Sequence, residues 1–461
     1  MGYDTNNRGY IFSMKKIIKK NKYIENIARK LYSFIPYKKR KLDKHFYEFT
    51  RLLKENEKKT LDEVKDYQFK KLKEMVNIAY YYTSFYKEKY DKAKFHPEDL
   101  NSLDDISKIP LLAKDEVRHH SKDMVDKRVD INSLYKGYTS GTTGKALELY
   151  HDKKTTAREW ASICYQWARV GYKAGDGRIE LRGFIEDDRD FIYLPDERVL
   201  RINIIKMSNK NIDIIIKKIK QINFKFIHGY PSSIYKFAKI IEANKIVYNP
   251  KAIMMASEVL YNWQMEVIDE VFNCDKIIHY GQAEKVALGA WTNERNYSFI
   301  PSYGILEYDK NSKELIATGF LNEVMPLIRY QLTDTVDNFS DNPIKKTNIL
   351  YPVINDIGGR EEDYTYDEQK NLIPPAVVTF PFKQLKFINA AKVIQNDIND
   401  FELVLETIYN KDDIKLQQEI LKLVSNFKKL YGDKASFKIN VTNEIPLGAN
   451  GKFRWIECKI K

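Results

Sequence analysis

The sequence predicts an α/β protein, with a large N-terminal α/β domain of mostly parallel sheets and a small, mobile C-terminal α+β domain. Three observations predict this class. Between Arg178 and Tyr280 short apolar runs alternate with segments of helical periodicity; shorter strands with turn residues such as Lys310-Asn311-Ser312 follow; and Gly358-Gly359 then punctuates the chain. At 461 residues, 43% of them hydrophobic, the chain exceeds one ordinary core and has ample material for globular packing.

The expected boundaries are a basic amphipathic segment at 1–41, a large domain at 42–358 and a small domain at 359–461. The formal charge of +13 belongs mainly to the first of these. Residues 15–41 hold eleven Lys or Arg and one Glu, a net +10, so the remainder contributes about +3. Ile24, Ile27, Ala28 and Leu31 recur there at helical spacing, with lysines around them. Two readings stay open: an amphipathic helix suited to peripheral contact with an anionic membrane, or a helix packed on the main domain with a solvated lysine face. Nucleic-acid binding is not expected, because the lysines lack interleaved aromatic platforms and the rest is nearly neutral.

From Asp43 to Phe85 the apolar positions Phe46, Phe49, Leu53, Leu61, Val64, Leu72 and Val76 predict helices, and Pro97 and Pro110 mark loops. Tyr135–Tyr138 and Ala146–Tyr150 read as strands and Lys153–Tyr172 as a helix. Arg178–Arg182, Phe224–His228, Lys251–Ala256 and Lys276–Tyr280 are expected strands. Asn209–Ile222, Ser232–Glu242 and Tyr261–Phe272 are the helices between them. Past the glycines, Phe401–Leu405 and Ser436–Val441 read as strands flanking a helix at Asp412–Tyr431. The chain lacks an uninterrupted apolar run of the roughly 18 residues a membrane span needs and opens on no signal-peptide pattern, so a cytoplasmic protein is expected. Cys164, Cys274 and Cys458 are far apart, which indicates neither a disulfide framework nor a zinc site.

The segment between the first two strands, Thr139-Ser140-Gly141-Thr142-Thr143-Gly144-Lys145, carries the chemistry a polyphosphate needs. Its glycines let backbone N–H groups approach phosphate oxygens, its hydroxyls donate, and Lys145 neutralises charge. It departs from the Walker A pattern, having two residues between its glycines and Ala146 after the lysine.

This loop resembles the phosphate loop of the acyl- and aryl-adenylate-forming ligases, and four further segments follow in that superfamily's order. Tyr280-Gly281-Gln282-Ala283-Glu284 is similar to the segment whose aromatic stacks on adenine and whose glutamate holds magnesium. Arg329-Tyr330-Gln331-Leu332-Thr333-Asp334 resembles the one ending in the aspartate that grips the ribose. Gly359-Arg360-Glu361-Glu362-Asp363 looks like the interdomain hinge, with Arg360 either touching ribose or phosphate or pinning the hinge to Glu362. The stretch from Ile445 to Arg454 is similar to the loop carrying the catalytic lysine, here Lys452. Phe226 to Ser233 and Ala256-Ser257-Glu258 resemble the phenylacetate:coenzyme A ligase group, and within it the CapK-like branch of capsule and surface-polysaccharide synthesis.

The resemblance implies an enzyme that adenylates a small carboxylic acid with ATP and magnesium and passes the acyl group to coenzyme A or a sugar. Tyr280, Gly281, Asp334 and Arg360 would hold adenine and ribose, and Glu284 magnesium. His228, Tyr230 and Ser257 would line the acyl pocket. Three residues depart from the pattern: Ala283 replaces a hydroxyl at the α-phosphate, Thr333 a glycine before Asp334, and Gly448 a threonine near Lys452. They leave open an alternative, a catalytically reduced nucleotide-binding interaction protein of the same fold.

Overall fold

The computed structural model describes residues 22–138, 147–182, 185, 189–258, 260–291, 296–336, 338–343, 350–355, 357–358, 364–373, 375–379, 381–382, 385, 387–388, 390–407, 409–445 and 455–460. The chain starts with helices α1 (Lys22–Ser33), α2 (Tyr37–Lys41), α3 (Lys44–Asn56), α4 (Leu61–Tyr82) and α5 (Ser84–Lys92). Asp43 accepts the Phe46 amide at the start of α3, and Thr60 with Glu63 forms a reciprocal cap on α4. These caps divide the stretch expected as helical from Asp43 to Phe85 into separate rods. The buried positions of α4, among them Val64, Leu72, Val76 and Ala79, lie on one helical face.

Helix α6 (Lys114–His120) precedes an antiparallel hairpin of β1 (Tyr135–Tyr138) and β2 (Glu148–His151), in which Tyr138 pairs with Glu148. The glycine-rich segment connects these strands, and Thr139 to Lys145 lie outside the described residues. Helix α7 (Lys153–Trp167) shares a buried cluster with α3 through Phe46, Phe49, Leu53, Cys164 and Trp167.

Strands β3 (Arg178–Arg182), β4 (Phe191–Leu194), β5 (Val199–Asn203), β6 (Phe226–Gly229), β7 (Ala252–Ala256), β8 (Asp275–Gly281), β9 (Leu288–Trp291) and β10 (Tyr297–Phe299) build the main sheet. Helices α8 (Ile212–Ile222), α9 (Pro231–Ala243) and α10 (Asn262–Val271) connect its central members. The run β5-β3-β6-β7-β8 is parallel, and antiparallel pairings extend it at both ends to ten strands. Parallel order is thus confined to the centre, where β7 is buried at every position, as a strand covered on both faces must be.

Strands β11 (Gly304–Tyr308), β12 (Glu314–Gly319), β13 (Tyr330–Val336) and β16 (Ile357–Gly358) form a smaller antiparallel sheet. The short β14 (Phe339–Ser340) and β15 (Val353–Ile354) join the edge of the main sheet. In the β13–β16 pair, Thr335 faces Gly358 and Val336 faces Ile357.

The C-terminal region starts with a two-stranded pair, β17 (Thr365–Tyr366) and β18 (Leu372–Ile373), and the short α11 (Pro375–Val378). It continues with β19 (Ala390–Asp397), β20 (Asp400–Glu406), α12 (Ile414–Tyr431), β21 (Ser436–Thr442) and β22 (Ile456–Cys458). The last four strands make a sheet in the order β21-β20-β19-β22. Helix α12 buries Leu416, Ile420, Leu423, Phe427 and Leu430 against it, at spacings of three and four.

Candidate functional site

The site grows from the carboxyl end of β8, the last parallel strand of the main sheet, where ligands of open α/β sheets bind. Tyr280 presents ring edges to Tyr297 and Phe299, with centroids 6.4 and 5.9 Å away. Its hydroxyl donates to Asp334 Oδ2 at 2.5 Å. Burial and the Asp334 charge hold that hydroxyl well above its ordinary pKa. Glu284, buried a few residues on, accepts the Tyr330 hydroxyl at 3.0 Å. Two segments 46 or more residues apart are therefore joined twice, each through one tyrosine and one carboxylate. Gly281 and Ala283 are exposed beside them, while both ends of the Gln282 amide are buried without a partner.

Arg329 has a left-handed backbone, φ 48°, and clamps the start of β13. Its Nε and Nη2 bond Glu307 at 2.8 to 3.1 Å, and Nη1 reaches the Ile109 carbonyl at 2.6 Å. Its own carbonyl accepts the Leu112 amide, and Leu112 returns a bond from the Gln331 amide. This arginine pins the strand that carries Tyr330 and Asp334.

A second cluster forms where β6, β7 and α9 meet. His228 is half-buried at the end of β6, Tyr230 precedes α9, and Ser257 is exposed after β7 with φ 70°. Of the residues expected to line an acyl pocket, His228 and Tyr230 are half-buried and Ser257 is exposed. The His228 ring centroid lies 4.9 Å from that of Trp167 and 6.3 Å from that of His279, with which it stacks, and Nδ1 is buried without a partner. Burial, then the neighbouring Arg182, keeps the imidazole neutral. His279 accepts the Trp167 indole N–H at Nδ1, 3.3 Å, and burial depresses its pKa to about 4. Across the β3–β6 register from His228 stands Glu180, ion-paired to Arg178 and Arg201 at 2.7 and 2.9 Å. Burial opposes its ionisation, yet Arg178, Arg182 and Arg201 hold the carboxylate down at about 2.

Glu258 completes this cluster. The Ser232 amide at the start of α9 donates to its Oε2 at 3.2 Å, whereas Oε1 and the buried hydroxyls of Ser232 and Ser233 have no partner. Burial lifts the Glu258 pKa to about 7, against the pull of Ser232. Sequence reasoning quoted Glu258 but selected its neighbour Ser257. The available signal was a carboxylate at the end of an all-apolar strand, where burial raises its pKa. Trp167 and His279 gave no such signal, since their meeting depends on α7 crossing the sheet. Arg360 and Lys452 lie outside the described residues, as does the phosphate loop.

The family profile described as the CapK C-terminal domain matches residues 365–459, the region from β17 to β22. The chain is 24% identical to Protein CapK of Staphylococcus aureus, over 98% of this chain and 99% of that protein. It is 24% identical to a phenylacetate-coenzyme A ligase of Aromatoleum evansii, over 70% of this chain and 76% of that one.

The chain is a homologue of CapK and of the phenylacetate-coenzyme A ligases. Its fold is that of the acid:coenzyme A ligases. A 2-hydroxyisobutyryl-CoA ligase in complex with 2-HIB-AMP and CoA in the thioesterification state superposes with a TM-score of 0.55 at 15% identity, covering 87% of this chain and 91% of that structure. An open conformation of that ligase gives 0.52 over 87% and 92%. Among the described residues of this CapK homologue, no helix is long and apolar enough to cross a membrane, and no group of three or more His, Cys, Asp or Glu could hold a metal. Cys164 is buried, Cys274 and Cys458 are half-buried, and no disulfide joins any of them.

Proposed function

We propose that this protein activates a carboxylic acid with ATP as an acyl-adenylate and transfers the acyl group to coenzyme A or to a sugar precursor in surface-polysaccharide synthesis. The observation that carries the reading is the double link between Tyr280 and Asp334 and between Tyr330 and Glu284 beyond the carboxyl end of β8. It brings an aromatic ring and two carboxylates into one place, which supports Asp334 as the ribose ligand and Glu284 as the cation ligand.

In the first step a carboxylate oxygen attacks the α-phosphorus of ATP and pyrophosphate leaves; in the second an acceptor thiol or hydroxyl attacks the acyl carbon and releases AMP. Charge builds where carboxylate meets phosphate, so preorganised cations and N–H donors do most of the catalysis. Lys452 bridges those two groups, and Thr139 to Lys145 hold the β- and γ-phosphates. Tyr280 hydrogen-bonds Asp334 through Oδ2, which leaves Oδ1 for a ribose hydroxyl. Arg360 adds a contact to ribose or phosphate. A single buried carboxylate such as Glu284 suits magnesium, which takes one or two carboxylates and completes its shell with phosphate oxygens and water. Glu284 would hold magnesium there, and the ion would supply neutralisation of phosphate charge. His228, Tyr230 and Ser257 face the acid. Burial keeps His228 neutral and holds the Glu258 carboxyl partly protonated at neutral pH, which lessens the negative charge that an anionic substrate meets there.

Acid-dependent pyrophosphate release across aromatic, fatty, hydroxy and amino acids tests the first step, and repeating it with coenzyme A and with nucleotide sugars tests the second. The exposed, hydroxyl-free Ala283 motivates the alternative reading, a nucleotide-binding module of reduced activity. ATP binding without adenylate from any acid would establish that reading and remove the enzyme.

A further inference from the structure

Helix α1 is attached to the body of the protein by its polar edge. Arg29 Nη1 bonds Asp196 at 2.9 Å, and its Nε bonds Glu25 within the helix at 3.0 Å. The following turn is fixed by Tyr37, which packs into the cluster of α3 and α7, and by Arg40, which lies 5.4 Å from the Tyr32 ring. The opposite edge carries Ile24, Ile27 and Leu31, at spacings of three and four, and all are exposed, Leu31 at 62%. Phe34, at 76%, and Ile35 continue the stripe past the helix end. This reverses the packed arrangement considered from sequence, in which the apolar stripe faced the main domain and the lysines faced water. Lys30, Lys38 and Lys39 of the same segment are exposed, and residues 15–41 carry a net +10.

We propose that α1 and the turn after it form a docking surface for an anionic lipid bilayer. Apolar side chains ringed by cations match the two layers of such a surface, acyl chains below and anionic headgroups above. A second copy of this chain is a poor occupant, because pairing the stripes would bring two strongly basic segments together. Each cation near the headgroups strengthens partitioning roughly fivefold, so the segment serves as an anchor that lies on the membrane. This surface is independent of the ligase chemistry.

Co-sedimentation of the full chain with vesicles of phosphatidylglycerol and phosphatidylcholine in equal parts, against phosphatidylcholine alone, tests the proposal. Pelleting with the anionic vesicles only is expected, weakened at least tenfold by Leu31→Glu with Phe34→Glu and by Lys38→Glu with Lys39→Glu. Both pairs are exposed, so unchanged thermal melts should accompany the loss. A protein that stays in the supernatant overturns the proposal, as does binding that ignores Leu31→Glu with Phe34→Glu. Self-association of the parent chain abolished by those same substitutions overturns it too, by making a second copy the occupant.

Discussion

Replacing Glu258 with Gln keeps the shape of the side chain and its bond from the Ser232 amide but removes the proton equilibrium. In the fold the carboxyl titrates at about 7, against an ordinary value of 4.5. The folded state therefore binds the proton more tightly than the unfolded chain, so stability falls as pH rises. It is fully present below the unfolded value, is lost as pH climbs from there through the folded value, and levels off above. At about 1.4 kcal/mol per tenfold difference in affinity, charging Glu258 costs the fold about 3 kcal/mol, of which about 2.5 falls between roughly pH 5 and pH 8. Urea denaturation followed by tryptophan fluorescence reads this directly. The Glu258→Gln protein should gain on the parent by that amount across the interval, whatever its absolute stability at the lower pH. His228 and Glu180 titrate identically in both proteins and cancel from the difference. A constant difference between the two curves would show that water reaches Glu258 freely and would refute the burial argument.

Lys452→Ala should cut acid-dependent pyrophosphate release more than about tenfold while leaving ATP affinity intact by calorimetry, because its contact forms in the transition state. Asp334→Ala should raise the ATP dissociation constant roughly tenfold or more, the worth of hydrogen bonds to a charged group made in ground and transition states alike; an unchanged calorimetric affinity would remove the ribose role. Ala283→Thr should speed single-turnover adenylate formation about tenfold by restoring a donor at the α-phosphate, and a slower reaction would mean another group fills that place. Arg329→Ala should lower stability by about 3 to 5 kcal/mol in denaturant titration, since it leaves the Glu307 carboxylate, already pushed above its ordinary pKa by burial, without its cation.

Strand β7 was legible because a buried parallel strand reads as an unbroken apolar run, β6 and β8 from their shorter apolar pairs Phe226-Ile227 and Ile277-Ile278, and the helices between them because their stripes repeat at 3.6 residues. Strand β5 escaped notice: Arg201 interrupts its apolar residues, and that arginine is there for Glu180, a partner 21 residues away. The motif residues Tyr280, Glu284, Tyr330 and Asp334 could be named one by one. That each tyrosine bonds the carboxylate of the other segment depends on how the main sheet meets the β11–β13 unit, which no local pattern encodes. The orientation of α1 was equally hidden, because periodicity locates an apolar stripe without saying which edge of the helix finds Asp196.

Strand β13 has a mechanical meaning beyond its contacts. Asp334 immediately precedes Thr335, which is registered with Gly358, the last described residue before the proposed pivot between the two domains. On the proposed reading, a ribose held by Asp334 would sit one residue from the rung beside that pivot. A swing of the C-terminal region would have its stationary end on the same ribbon that grips the nucleotide, so adenylate occupancy and the angle of the swing would share a lever arm a single residue long.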